Sequence, residues 1–274
     1  MKPKKNKKKW FENFHFVFLI FLSCTLVTSL SILKNKRNDD LEYRKKVVAE
    51  QNSYSLNFNN TKSRGDKNIT SSVNSKNSKK FIVLDPGHGG FDCGASSNDN
   101  KVQEKDLTLQ ISKKVKAYLE QENYEVLLTR LTDKAMDSAT NEIEDLKGRS
   151  SIINTSNAAA LVSIHINSST DSSSTGIYNY VSNNSNSSLN EKNLTLSKNI
   201  LDSISNFSDW KSVETVPQNI YILNKATMPS VLVECGFITN KNDLKKLQNP
   251  YDIDDLAKGI ADGIMKFTEN DNKN

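Results

Sequence analysis

Cysteine and histidine are scarce in this sequence, with three of each among 274 residues. Cys24, Cys93 and Cys235 are too few for a disulfide framework and fit no CxxC zinc spacing, which excludes stapled secreted scaffolds and zinc ribbons. A loop thiol at Cys93 and a buried strand thiol at Cys235 is the expectation, favoured over a bridge between them. No GK[ST] follows the glycines around Gly89 and no GxGxxG is formed, so the chain has no signature for cradling nucleotide phosphates. Long apolar runs are equally few. Phe14–Leu33, about 20 residues without a formal charge, is the one stretch long enough to span a bilayer.

Positive charge is missing where a nucleic-acid binder would need it. Residues 1–78 hold 16 of the 37 Lys and Arg and 6 of the 32 Asp and Glu, which leaves 21 against 26, or −5, for residues 79–274. A binding domain concentrates basic charge on its folded surface, so nucleic acid is set aside as a partner. The basic excess lies in a tail with six Lys in the first nine residues, directly before the apolar run. Such a tail stays in the cytoplasm and the remainder is exported. Residues 1–33 are thus expected to be a basic tail plus a membrane anchor. The absence of a small-x-small cleavage site favours an anchor over a cleaved signal peptide with its apolar region at Phe14–Leu22, and Phe21-Leu22-Ser23-Cys24 makes a poor lipobox. Residues 34–78, rich in Asn, Ser, Lys and Asp, bury too little apolar surface to fold and read as a flexible linker.

From residue 79 to 270 the pattern is that of one α/β domain, with a mostly parallel central sheet flanked by helices on both faces. Apolar runs at Phe81–Leu84, Val126–Thr129, Ala160–Ile166, Ile177–Val181 and Val231–Val233 predict strands. Between them Leu107, Ile111, Val115, Tyr118 and Leu119 share one face of a helix with Asp106 as its N-cap, and further helices fit Ile143–Asn154, Leu194–Asn206, Lys241–Leu247 and Asp254–Phe267. Alternation of this kind argues for a parallel sheet. The Ser- and Asn-rich stretch from Asn167 to Ser188 is expected to be a loop with weak strand content.

Open α/β sheets place ligands at the carboxyl ends of their strands. Three apolar runs end in polar residues there: Asp85-Pro86-Gly87-His88-Gly89-Gly90, Ser163-Ile164-His165-Ile166-Asn167 and Glu234-Cys235-Gly236-Phe237. With His15 inside the apolar segment, His88 and His165 are the only histidines of the domain, and both sit at strand ends. Each alone suits a structural histidine. Together with Glu104, at the entry to a helix where the dipole also favours an acid, they supply two imidazoles and a carboxylate, a ligand set of catalytic zinc that leaves a fourth position for water. The glycines beside His88 read as a turn bringing backbone close to the metal. Glu234 ends an apolar strand, where a carboxylate is costly to bury unless it is paired or functional. A salt bridge to Arg130 or Arg149 is the structural alternative to a general base.

The segments Leu84–Gly90, Gln103-Glu104-Lys105, Ser163–Asn167 and Val233–Asn240 together resemble, in order and spacing, the signature blocks of the zinc-dependent N-acetylmuramoyl-L-alanine amidases. The resemblance spans about Lys79 to Phe267. It implies one zinc ion per chain held by His88, Glu104 and His165, with Glu234 as catalytic acid/base, and cleavage of the amide joining the lactyl group of N-acetylmuramic acid to L-alanine in peptidoglycan. Arg149 and Asn154 resemble the family's Arg-and-Asn helix, and Asp85 and Asn167, flanking the histidines, are candidates for orienting the imidazoles. Ser168 stands where Ala is common, and Cys93 and Cys235 where other small residues are frequent. A single catalytic domain behind an apolar segment is similar to the sporulation and germination amidases that act in spore-cortex muramic-δ-lactam formation. The spacing from His165 to Glu234 leaves little room for the inhibitory helix of some cell-division relatives. An activating or zinc-loading partner protein stays open. A zinc peptidase acting within the stem peptide and a non-catalytic wall-binding relative are the alternatives.

Overall fold

The computed structural model describes residues 80–137, 139–183 and 187–271. The basic tail, the proposed anchor and the linker lie outside the described residues. Among the described residues no helix is long and apolar enough to cross a membrane.

Six strands form one sheet in the order β2-β1-β3-β6-β4-β5: β1 Phe81–Pro86, β2 Glu125–Leu128, β3 Ala160–Asn167, β4 Ile177–Ser182, β5 Ser212–Gln218 and β6 Ser230–Phe237. The first four in spatial order pair in parallel. β4 runs antiparallel to β6, and β5 pairs with β4 in parallel. The mostly parallel sheet expected from the sequence is therefore present.

Alternation along the strands divides the core. Ile82 and Leu84, Val162 and Ile164, and Val231 and Val233 pack with α1 Glu104–Gln121, α3 Ser187–Phe207 and α6 Pro250–Asp271 in the main apolar cluster. On α1 the residues Leu107, Ile111, Val115 and Leu119 form its buried stripe, as the sequence spacing predicts. α3 packs closely on α6; Gly259 and Gly263 make this possible, since a Cβ there would come within 2.7 and 2.4 Å of Ile204 and Ile200 Cα. The opposite sheet face carries Val83, Asp85, Leu161, Ser163, His165, Leu232 and Glu234. Helix α2, Glu142–Thr155, and the short α4, Tyr221–Lys225, pack together beyond it, while α5, Lys241–Leu247, follows β6.

Three local details differ from expectation. Helix α1 starts at Glu104, not after an Asp106 cap: Gln103 is its N-cap residue without a side-chain bond, because Glu104 is drawn into the site instead. β5 and α4 have no sequence signal, since Ser212–Gln218 is polar and Tyr221–Lys225 has only five residues. Cys93 and Cys235, by contrast, are as expected: both are free, the latter buried in β6.

Candidate metal centre and active site

Two parallel strands and one helix deliver the three donors. β1 runs into the turn that carries His88, β3 carries His165 near its end, and Glu104 opens α1. His88 Nε2 lies 3.1 Å from Glu104 Oε1 and His165 Nδ1 lies 3.0 Å from the same oxygen, with the rings edge to face at 4.9 Å. All three donor atoms fall within 4.8 Å of one another. Glu104 is 4% exposed and anchored by main chain: Ala95 N–H donates to Oε2 at 2.8 Å and Ile166 N–H to Oε1 at 3.0 Å. Burial would raise its pKa, but the bonds from His165 and His88 hold it well below the usual carboxylate range.

The outer nitrogen of His88 is held by a residue that the sequence reading missed. Asp92 Oδ2 meets His88 Nδ1 at 2.6 Å, and Asp92 Oδ1 accepts Gly94 N–H at 3.0 Å. Burial lowers the His88 pKa, yet Glu104 and Asp92 on its two nitrogens outweigh this and push it up to about 9. The only signal for Asp92 was a carboxylate four residues after a candidate ligand. Backbone geometry completes the turn: His88 has φ 60°, in the left-handed region that non-glycine residues seldom enter. Gly87 leaves room for the second imidazole, because a Cβ there would stand 2.3 Å from His165 Cε1. The close approach the glycines permit is thus to His165.

Two buried arginines fix this turn through its carbonyls. Arg149 donates to Pro86 O at 2.7 Å and His88 O at 2.5 Å, and Arg130 donates to Pro86 O at 3.0 Å and Gly87 O at 2.8 Å. Arg149 is paired with Asp145 at 2.6 Å and Asp85 at 2.9 Å. Asp85 also accepts from Thr129 at 2.5 Å and Ser163 at 2.8 Å. Burial alone would raise Asp85, but Arg149 and these hydroxyls keep its carboxyl below the ordinary range. Its oxygens therefore face Arg149, Thr129 and Ser163, and not the imidazoles. Asn154 lies apart from the donors, where it joins α2 to the segment before β6: its amide donates to Lys225 O at 2.8 Å and accepts Thr227 N–H at 3.1 Å. Asn167 accepts Ser168 N–H at 2.8 Å.

Glu234 stands beside His165 in the β3–β6 register. Both arginines that sequence offered as salt-bridge partners are engaged elsewhere, and Glu234 Oε2 is buried with no hydrogen-bond partner. Burial raises its pKa to about 7, against the pull of His165, with Glu104 adding to the rise and His88 opposing it. A half-buried carboxylate with one oxygen shut away from solvent and a pKa raised toward neutrality suits a general base. A cleft of about 350 Å³ opens beside the cluster, bounded by His88, His165, Arg149, Ile220, Tyr221 and Leu232. The donor set fits a divalent metal: two imidazoles and one carboxylate match catalytic zinc, and the orphaned Glu234 oxygen next to a second carboxylate is the arrangement a cation would relieve.

Convergent imidazoles and carboxylate at the carboxyl end of a mostly parallel sheet, next to a carboxylate with one buried, unpartnered oxygen, make a metal-type donor set of the kind hydrolases use. The chain belongs to the N-acetylmuramoyl-L-alanine amidase family, which it matches over residues 82–266. It is 32% identical over 200 residues to the germination-specific N-acetylmuramoyl-L-alanine amidase of Bacillus subtilis, covering 70% of this chain and 81% of that protein. The solved CwlD amidase of Clostridioides difficile, in complex with the GerS lipoprotein, is 34% identical with a TM-score of 0.65, over 70% of this chain and 99% of that one. AmiC2 of Nostoc punctiforme, an N-acetylmuramoyl-L-alanine amidase, is also 34% identical, with a TM-score of 0.62 over 70% of this chain and 98% of the other.

Proposed function

We propose that His88, Glu104 and His165 hold one zinc ion and that Glu234 is the general base with which this amidase cleaves the lactyl–L-alanine amide of peptidoglycan outside the cytoplasm. The observation that carries it is the convergence of the three donors beside a carboxylate whose buried Oε2 has no hydrogen-bond partner. Held by His88, Glu104 and His165, zinc would supply Lewis acidity for the hydrolysis. Glu234 takes a proton from the attacking water and returns it to the departing nitrogen. A C–O bond forms, the C–N bond breaks, and the products are a lactyl carboxylate and an N-terminal alanine. Arg149 and Arg130 keep the His88 turn in place, and Asp92 fixes the ring through Nδ1.

The spore-cortex role, with muramic-δ-lactam formation as its consequence, is supported by similarity to the germination-specific enzyme. The anchor at residues 1–33 and the linker at 34–78 would tether the domain at the outer membrane face. The similarity to CwlD, solved with GerS, supports a partner protein that activates or loads the enzyme.

Metal analysis of the purified protein and mass spectrometry of digested peptidoglycan test the reading. One zinc per chain, new lactyl carboxylates and new N-terminal alanine are expected, with metal lost in His88→Ala. Cleavage between amino acids would instead establish the stem-peptide peptidase.

A further inference from the structure

One wall of the cleft beside the metal donors carries a carboxylate that the chemistry above leaves unused. Helix α2 presents Glu142, Asp145, Leu146 and Arg149 to the cleft, at the i, i+3, i+4, i+7 spacing of a single helical face. Arg149 ends this stripe, buried and bonded to the His88 carbonyl. Glu142 begins it, exposed in the first turn of the helix.

Four carboxylates border the cleft: Asp85, Asp92, Glu142 and Asp145. Three are committed, Asp85 and Asp145 to Arg149 and Asp92 to His88. Among the described residues Glu142 has no hydrogen bond or ion pair. Capping does not employ it either. The Asn141 side chain accepts Glu144 N–H at 3.0 Å, and the Glu144 carboxylate reaches back to Thr140 N–H at 2.8 Å. The helix end gives Glu142 only the favourable field that any acid in a first turn feels. The α4 side of the cleft is of another character, formed by Ile220, Tyr221 and Ile222, with Tyr221 37% exposed. Apolar surface leading to one uncommitted negative charge at the solvent edge suits a side chain with an aliphatic stem and a cationic head.

The length of the stripe says which residue of the substrate that is. Glu142 and Arg149 are seven positions apart on one helix, or about 10 Å at a rise of about 1.5 Å per residue. An extended peptide covers that distance in about three residues. Counted from the scissile amide, the third residue of a stem peptide is the diamino acid, whose side chain carries the amine. We propose that the Glu142 carboxylate binds the side-chain ammonium of this third residue, with its aliphatic stem against Leu146, Ile220 and Tyr221. The inference rests on the amidase reading of the site and makes the cleft the seat of the peptide arm, since the N-acetylated sugars on the other side of the amide bring no cation.

Peptidoglycan with its free amines acetylated keeps every other group of the substrate. Wild type should cleave it with a kcat/KM about two- to tenfold below that for native peptidoglycan, the range of a solvent-exposed charged contact, read as release of N-terminal alanine. Glu142→Gln should lose the same factor on native peptidoglycan and show no preference between the two, as expected when one interaction is removed from either side. Metal content and melting temperature should match wild type. Raising salt from about 0.05 to about 0.5 M should shrink the wild-type preference. Equal cleavage of both substrates by wild type, or an undiminished preference in Glu142→Gln, overturns the inference while leaving the amidase reading intact. A wild-type protein that releases no N-terminal alanine from either substrate overturns both.

Discussion

Replacing Glu234 by Gln removes a charge at the point where burial most opposes it. The folded-state pKa of about 7 stands 2.5 above the ordinary value of 4.5, and each unit corresponds to about 1.4 kcal/mol. The folded protein holds this proton more tightly than the unfolded chain, which sheds it first as pH rises. Glu234 therefore costs the metal-free protein nothing below pH 4.5, an increasing amount between 4.5 and 7, and up to about 3 kcal/mol above 7. Gln does not titrate. Urea unfolding of the metal-free proteins should show Glu234→Gln matching wild type at pH 4 and exceeding it by up to about 3 kcal/mol at pH 8. Adding zinc should narrow the gap, since a nearby dication stabilises the wild-type carboxylate. Turnover should fall by about 10² to 10⁴, the usual share of a positioned general base, with zinc retained. Equal stabilities at pH 8, or a gap that opens toward pH 4, would refute the argument that burial without a partner sets the pKa of Glu234. Near-normal turnover would remove its role as base.

Two further substitutions probe the construction of the site. Asp92→Asn leaves the His88 ring without its anionic partner and should weaken metal affinity about 10- to 100-fold, read by competition with a chelator, with little change in far-UV circular dichroism. Gly87→Ala drives a methyl group to 2.3 Å from the His165 ring. It should cost about 1–3 kcal/mol as overpacking and displace the imidazole, so that metal is lost while the sheet still folds; retention of a full complement of zinc would contradict the packing.

The sheet, the two histidines and Glu234 were readable because each strand end announces itself. Phe81–Leu84, Ala160–Val162 and Val231–Val233 are uniformly apolar and are followed at once by polar residues that a core does not want. What was not readable depends on contacts far apart in the chain. β5 is a polar edge strand that exists because β4 lies beside it. Asp92 looks like any loop acid until the turn folds it under His88. Asp85 flanks a ligand in sequence, yet the Arg149 guanidinium from helix α2 and the hydroxyls of Thr129 and Ser163 claim its oxygens. Asn167 likewise turns to Ser168, and Asn154 serves the junction between α2 and the segment before β6. Helix α1 begins at Glu104, two residues before the Asp106 cap that local rules favour, because the site recruits its first residue.

The arginine clamp on the His88 turn has a consequence for the order of assembly. The carbonyls of Pro86 and Gly87 are gripped by a side chain 43 or 44 residues away, and those of Pro86 and His88 by another 61 to 63 residues away. No short segment of the chain can therefore preform the turn, and the nascent or unfolded polypeptide offers zinc only scattered, weak ligands. Metal uptake at the proposed site would therefore follow folding, and its binding free energy would accrue to the finished fold.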